Sequence, residues 1–143
     1  MIYHEETMNL LDMPQGWTIA HCISADFALG AGVAKQIDQV YGMRDMVRKQ
    51  YSDFDYDVWG PSCLRCLNVY NLVTKAKYWH KPTLDSLREA LQDMRQCVEE
   101  DGVTKLAMPK IGCGLDKLDW DDVSPMIKEI FADTNIEIQV CCL

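Results

Sequence analysis

The sequence predicts an α/β protein with a largely parallel sheet. Short apolar, β-branched segments alternate with amphipathic helical segments, and glycine-rich segments follow two of the predicted strands. Strands that alternate with helices of this length are typical of parallel sheets. The 143 residues are about one domain's worth, so we expect residues 1–143 to form a single unit.

The first predicted pair of elements is a strand followed by a helix. Residues 18–23 (TIAHCI) form a short β-branched and apolar run, which predicts a buried strand. Residues 30–42 predict a helix that ends at Gly42. The apolar face of this helix is predicted to contain Val33, Ile37, Val40 and Tyr41.

The next segments predict a short helix and one or two strands. The helix is predicted in MRDMVRKQYSDF, residues 43–54. Residues 62–75 combine alternation with β-branched and aromatic residues, so they form either one long strand or two strands joined by a turn at Asn68.

The clearest helix signal covers residues 83–102. Thr83 is a suitable N-cap, Asp85 suits the positive N-terminal end, and Gly102 ends the helix. Its predicted apolar stripe consists of Leu84, Leu87, Leu91, Met94 and Val98.

The last segments predict a strand, a helix and a final strand. Residues 104–109 and 136–142 have strand patterns, and residues 120–133 have a helical one. Pro125 is expected in the first turn of that helix, because proline removes a hydrogen bond further in. In such a sheet, ligands bind at the carboxyl ends of the strands.

Composition narrows the function classes. The net charge of −8 argues against general electrostatic binding to nucleic acid, and it requires an anionic ligand to be held by local groups. No run approaches the roughly 18 apolar residues of a membrane span, and we expect no signal peptide. The seven cysteines are an odd number in apolar surroundings, which predicts reduced thiols and a cytoplasmic location.

Two glycine-rich segments fall at the predicted ligand-binding edge. ALGAGVA (residues 28–34) follows one strand and opens a helix, and IGCGLD (residues 111–116) follows another. Backbone N–H groups of such loops bind phosphate, so the pair predicts a split diphosphate site. Neither segment is a P-loop or a dinucleotide fingerprint, and the alternative is two tight turns that need only positive φ.

Several side chains are candidates for chemistry. Lys75 lies at the end of a predicted strand beside the glycine loops, where it could act as a nucleophile or be an ordinary solvated lysine. Asp116 follows the second loop, where it could be catalytic or a turn residue. His21 could be a ligand or a core residue, and Cys113 has no evident histidine partner.

A metal site is not expected. Cys63 and Cys66 have C-x-x-C spacing, but no second cysteine or histidine pair stands at zinc spacing. The two cysteines also point to opposite faces of a strand.

Three segments together resemble macrodomains: AHCISADFALGAGVAKQI, NLVTKAKYWHKPT and MPKIGCGLDKLDW. The resemblance is to the subgroup of terminal ADP-ribose glycohydrolases that use a lysine–aspartate pair, and the 41 residues from Lys75 to Asp116 match that subgroup's spacing. It implies a three-layer α/β/α sandwich with a mixed, mostly parallel sheet, formed as a single macrodomain by residues 1–143.

The resemblance also implies a site. Lys75 would be the nucleophile and Asp116 its acid/base partner. Where the family has an aspartate that binds adenine, this chain has Asn9, an uncharged and weaker acceptor. The implied ligand-binding residues are Asn9, Leu10, His21, Ser24, Leu29, Gly30, Ala31, Gly32, Lys110, Ile111, Gly112, Cys113, Gly114, Leu115 and Leu143.

The implied activity is removal of acyl-linked mono-ADP-ribose from proteins through a lysyl intermediate, and also deacetylation of O-acetyl-ADP-ribose. The alternatives are a non-catalytic ADP-ribose reader and a hydrolase of ADP-ribosylated nucleic-acid bases. The expected partners are ADP-ribose and a mono-ADP-ribosylated protein, with nucleic acid only if modified bases are the substrate. We expect no cofactor, no membrane association, a monomer, and a cytoplasmic or nuclear location.

Overall fold

The computed structural model describes all residues from Met1 to Leu143 and contains one six-stranded sheet. The strands are β1 Ile2–Thr7, β2 Thr18–Ser24, β3 Ser62–Cys66, β4 Val69–Lys75, β5 Lys105–Met108 and β6 Glu137–Cys142. Their order in the sheet is β1-β6-β5-β2-β4-β3, and every neighbouring pair is parallel except β3 and β4. This confirms the mixed, mostly parallel sheet.

Helices cover both faces of the sheet. The helices are α1 Gly32–Tyr41, α2 Met43–Gln50, α3 Tyr56–Trp59, α4 Leu84–Asp101 and α5 Trp120–Phe131, and a 3-10 turn covers Leu10–Asp12. Side chains of α1 and α2 pack on one face and those of α4 and α5 on the other, which gives the predicted three layers. No helix has the length and apolar character to cross a membrane.

Alternation along the strands divides the core into two clusters. In β2, Ala20 packs toward α4 and α5, whereas Ile19 and Ile23 pack toward α1 and α2. Cys63 and Cys66 of β3 likewise lie on opposite faces, as their spacing predicts. Both faces of the sheet are therefore buried under helices, as expected for a parallel sheet between two helical layers.

Two local predictions are confirmed in detail. Residues 62–75 form the two-strand alternative, an antiparallel hairpin whose turn contains Asn68. Thr83 caps α4, where its hydroxyl accepts from the Ser86 N–H while the Ser86 hydroxyl oxygen accepts from the Thr83 N–H. Gly102 ends the helix in a left-handed conformation.

Three positional predictions are wrong. Val40 and Leu84 are exposed, because α1 buries only Ile37 and Leu84 is the first residue of α4. Pro125 is the sixth residue of α5 and not in its first turn. It lies on the exposed side of the helix, where water can reach the carbonyl that loses its intrahelical donor.

No sequence pattern indicated strand β1. Its residues, IYHEET, are mostly exposed, and the strand occupies the edge of the sheet. It pairs in parallel only with β6, so backbone hydrogen bonds define it more than side-chain burial does.

Candidate active site at the carboxyl edge of the sheet

The carboxyl ends of four parallel strands surround one large cavity. Strands β2, β4, β5 and β6 end at Ser24, Lys75, Met108 and Cys142, and the segments that follow them line a cavity of about 1080 Å³. This size is at the upper end of the range for small-molecule sites. The cavity therefore lies at the edge of the sheet where the sequence predicted the ligand.

The first glycine loop, residues 28–32, leads directly into α1. Leu29 is buried with φ 43°, and Gly32 begins the helix with φ 58°. No side chain caps this helix at Ala31, so the amides of its first turn have no side-chain acceptor. Gly32, Val33 and Ala34 line the cavity, which places a helix N-terminus in its wall.

The second glycine loop, residues 111–115, uses its glycines differently. Gly112 has φ 73°, and a Cβ there would lie 3.0 Å from Leu118 and 3.1 Å from Leu87, so only glycine fits without displacement. A Cβ on Gly114 would meet nothing within 4 Å, which leaves open space at this position. The tight-turn interpretation is therefore sufficient for Gly112 but does not explain Gly114.

The two loops meet across the cavity. The side chain of Leu115 lies 3.1 Å from the position of a Cβ on Gly32, so any larger residue at position 32 would press against the opposite loop. Because the loops touch here, the cavity has backbone on both sides, as the split-site prediction requires.

Lys75 and Asp116 form a close ion pair in the cavity wall. The distance from Lys75 Nζ to Asp116 Oδ1 is 2.6 Å, and each side chain is 14% exposed. Lys75 is the last residue of β4 and is paired with Ser24 of β2, and its carbonyl accepts from the Ala25 N–H at 2.9 Å. The end of β4 thus fixes the backbone of Lys75, and the side-chain amine of this residue lies beside a carboxylate. Such an arrangement is suited to nucleophilic catalysis with proton transfer.

The cavity wall is locally basic in an acidic chain. Besides Lys75, it contains Lys81, Lys110 and Lys117, with Asp116 as its one acidic side chain. The Lys81 ammonium donates to the carbonyl of Leu115 at 2.6 Å and so links the segment after β4 to the second glycine loop. An anionic ligand would meet lysines as well as backbone amides here, although the net charge of the chain is −8.

His21 lies in the wall of the cavity, but its imidazole belongs to the core. It is buried, and Nε2 lies 2.6 Å from Asn71 Oδ1, which is an acceptor, so Nε2 carries the proton. Burial lowers the pKa of His21 to about 4, against a smaller opposite effect of the Asn71 hydrogen bond. The ring is therefore neutral near pH 7, and a contact with the ligand stays a prediction.

Most of the residues named from sequence lie in the same wall. Residues 29–32 and 110–116 all line the cavity, as do Ser24 and Leu143. Asn9 and Leu10 do not: the Asn9 side chain caps the 3-10 turn by accepting from the Leu11 N–H at 2.9 Å, and Leu10 is buried. The role of Asn9 toward adenine stays a prediction.

Other cavity residues were not named from sequence. Tyr78 and Lys81 belong to the quoted segment NLVTKAKYWHKPT, which was the available signal for them. Cys22 belongs likewise to the quoted segment AHCISADFALGAGVAKQI. Burial raises the pKa of the Cys22 thiol to about 12 and that of Cys113 to about 11, so both thiols are protonated and neither is a nucleophile near pH 7.

Comparison with known proteins agrees with this geometry. Residues 62–127 match the Macro domain family model. The chain is 38% identical over 136 residues to human ADP-ribose glycohydrolase OARD1, which covers 94% of this chain and 88% of that protein.

Among solved structures, the macrodomain of Mycobacterium tuberculosis DarG superposes with a TM-score of 0.85 at 17% identity, covering 98% of this chain and 97% of that one. Thermosipho africanus DarTG in complex with ADP-ribose gives a TM-score of 0.66 at 18% identity, covering 87% of this chain and 37% of that one. At 17–18% identity the structural matches show the fold alone, whereas the 38% identity to OARD1 shows that the two chains belong to one family. The chain belongs to the macrodomain family.

Proposed function

We propose that this protein is an ADP-ribose glycohydrolase that removes acyl-linked mono-ADP-ribose from proteins. The observation that carries the proposal is the Lys75–Asp116 pair, 2.6 Å apart in the wall of the large cavity. The relationship to OARD1, an ADP-ribose glycohydrolase, supports the same activity. The proposed reaction uses no cofactor or metal.

The proposed binding mode places the diphosphate of ADP-ribose between the two glycine loops. The uncapped first turn of α1 and the backbone around Gly114 supply N–H donors, and Lys81, Lys110 and Lys117 add positive charge. The distal ribose then extends toward Lys75, where the ester bond to the modified side chain can be attacked.

The proposed chemistry begins with proton transfer from Lys75 Nζ to Asp116 Oδ1, its hydrogen-bonded neighbour. The neutral amine attacks C1″ of the distal ribose, and the bond from C1″ to the ester oxygen breaks, so the protein carboxylate leaves with the electron pair. The lysyl adduct opens to an imine. Water adds to C1″ with help from Asp116, which returns a proton to the departing amine as ADP-ribose is released.

Two neighbouring functions fit parts of the site. O-acetyl-ADP-ribose is also an acyl ester of ADP-ribose, so its deacetylation is proposed as a second activity. Hydrolysis of ADP-ribosylated nucleic-acid bases is favoured by one observation: the exposed ring of Tyr78 lines the cavity together with Lys81, and the exposed ring of Trp79 packs on Tyr78. A non-catalytic reader would need neither Lys75 nor Asp116.

The wider setting is also proposed. All six strands belong to one sheet, which supports a single macrodomain over residues 1–143. We propose that it acts as a monomer. The seven cysteines are all free thiols, which supports a reducing compartment such as the cytoplasm or nucleus.

The activity is tested with a peptide that carries mono-ADP-ribose on a glutamate. Wild type should release ADP-ribose, Lys75→Ala should not, and Lys105→Ala should match wild type because Lys105 begins β5 at the opposite edge of the sheet. Release by Lys75→Ala at the wild-type rate would contradict the lysine route. Absence of release by wild type would contradict the function.

Binding is tested separately by calorimetry with ADP-ribose. Gly114→Glu should abolish binding, because a charged side chain would enter the open space beside that glycine. Gly114→Ala is the matched control and should bind, since its methyl group meets nothing within 4 Å. Equal binding by both variants would place the diphosphate elsewhere.

A further inference from the structure

Asp26 lies between the first glycine loop and the aromatic loop, which we define as residues 76–82. Its Oδ1 accepts from the Ser24 hydroxyl at 2.5 Å and from the Ala28 N–H at 3.2 Å, both on its own side. Its Oδ2 accepts from the Tyr78 N–H at 2.9 Å, three residues beyond Lys75. One carboxylate thus joins the segments that follow β2 and β4.

The hydrogen bonds of Asp26 affect the pKa of its carboxyl more than its partial burial does. Burial alone would raise the pKa of the Asp26 carboxyl, but the donors on Ser24, Tyr78 and Ala28 favour the ionised form, and the resulting pKa is lowered. The group is therefore a carboxylate near neutral pH and can accept from both loops at once.

The aromatic loop is held by polar contacts more than by burial. Tyr78 and Trp79 are largely exposed; their rings pack on each other, and Trp79 also packs on His80. At its other end, Lys81 is attached to the second glycine loop through the Leu115 carbonyl. Asp26 supplies the attachment near Lys75, so its loss would free the backbone immediately after that residue.

We propose that Asp26 is a positioning residue, which holds the aromatic loop against the first glycine loop and thereby fixes Lys75 beside Asp116. This inference rests on the proposed function for the importance of Lys75 in turnover. The structural part, that Asp26 orders the aromatic loop, stands without it.

Asparagine at this position separates the two attachments. Asp26→Asn has the same shape, but only one of its two terminal atoms can accept. The amide oxygen can keep the two donors on Ser24 and Ala28, and the NH₂ group then faces the Tyr78 N–H, donor against donor. This variant therefore keeps the hydrogen bonds to Ser24 and Ala28 on the side of the first glycine loop, whereas it loses the hydrogen bond to the aromatic loop.

The test combines amide hydrogen exchange with kinetics on wild type, Asp26→Asn and Asp55→Asn. Asp55 caps α3 by accepting from the Asp57 N–H at 2.9 Å, so its variant makes the same chemical change away from the cavity. In Asp26→Asn, exchange at Tyr78 should accelerate by about tenfold, because the amide loses its acceptor. kcat should fall by about tenfold or more through misplacement of Lys75, with KM and ADP-ribose affinity within about twofold of wild type.

Three outcomes separate the ideas. Unchanged exchange at Tyr78 in Asp26→Asn would overturn the positioning role, whatever the enzyme does. Faster exchange with unchanged kcat would also overturn it, because the loop would then be free without consequence for Lys75. If wild type does not hydrolyse the substrate, the proposed function fails, and unchanged exposure of Lys75 to an amine-reactive reagent in Asp26→Asn would overturn the positioning role independently.

Discussion

Two ion pairs lie near opposite ends of β4 and differ in chemistry and surroundings. At the carboxyl end, Lys75 and Asp116 are 2.6 Å apart, with 14% of each side chain exposed in the wall of the cavity. Near the amino end, Arg65 Nη1 lies 2.9 Å from Asp101 Oδ2, and these side chains are 40% and 30% exposed. Asp101 also accepts from the hydroxyl of Tyr70 at 2.6 Å.

The difference lies in whether the cation of each pair can give up a proton. A guanidinium does not give up its proton in proteins, so Arg65 can only hold its partner in place. Lysine can become a neutral amine, and Lys75 has both a proton acceptor and open space beside it. Under the proposed function, the Arg65–Asp101 pair serves stability and the Lys75–Asp116 pair serves chemistry.

The largest expected effect comes from exchanging the cations. Lys75→Arg keeps the charge but removes the proposed nucleophile, so turnover should fall by roughly 10⁴-fold while ADP-ribose still binds. Arg65→Lys is the reciprocal change, and its turnover should equal that of wild type. Initial rates on the glutamate-linked substrate measure both, and substantial turnover by Lys75→Arg would break the comparison.

The next largest effect is the pH dependence of stability that comes from His21, which lies between the two ion pairs. His21 of β2 faces Asn71 of β4, and its pKa is about 4 in the folded chain against 6.5 when unperturbed. As pH falls from 6.5 to 4, the unfolded chain takes up this proton and the folded chain does not. The free energy of unfolding should therefore fall by about 3 kcal/mol across that window from His21 alone.

Urea unfolding between pH 4 and pH 8 checks this value. His21→Gln keeps a donor for Asn71 and should lose the pH-dependent part of the change. His80→Gln, in the exposed aromatic loop, should retain it. If the free energy of unfolding changes equally with pH in the two variants, the pH dependence does not come from His21 and is to be assigned to the ion pairs.

A smaller effect is expected from the structural pair. Asp101→Ala removes the acceptor of the Tyr70 hydroxyl and the partner of Arg65, so the free energy of unfolding should drop by about 2 kcal/mol with turnover unchanged. Glu100→Ala changes the neighbouring residue of α4 and should cost no more than about 0.5 kcal/mol. A loss of turnover in Asp101→Ala would mean that the two ends of β4 are coupled.

The smallest effect is at Asn9, outside both pairs. Asn9→Asp supplies a charged acceptor in addition to the one that caps the 3-10 turn, so it should strengthen ADP-ribose binding by roughly 1 kcal/mol if adenine reaches it. Calorimetry measures the change. An unaltered affinity would show that the base is held by other groups, in agreement with the position of Asn9 outside the cavity wall.

The sequence predicted the elements that carry strong periodic or capping signals. The strand at Glu137–Cys142 alternates clearly, and α4 has both a cap at Thr83 and a stop at Gly102. The edge strand β1 was missed because it is polar and mostly exposed. Pro125 was misplaced because an exposed proline inside a helix gives no signal that water will satisfy the freed carbonyl.

The sequence predicted the two glycine loops of the site, but not the side chains that hold the neighbouring segments in place. Glycine pattern and family resemblance both pointed to residues 29–32 and 111–115, which line the cavity. The contacts of Asp26 and Lys81 could not be foreseen, because each joins segments far apart in sequence through a backbone group. Only the parallel alignment of β2, β4 and β5 brings those segments together.

The most direct test of the central claim is to trap and map the proposed adduct. Wild type and Asp116→Ala are incubated with the glutamate-linked substrate, reduced with cyanoborohydride and analysed by intact mass spectrometry and peptide mapping. We predict one ADP-ribosyl group on Lys75, at higher occupancy in Asp116→Ala because the adduct is resolved more slowly. Substrate turnover by wild type with no adduct in either protein, or with the adduct on another lysine such as Lys81, would contradict the account.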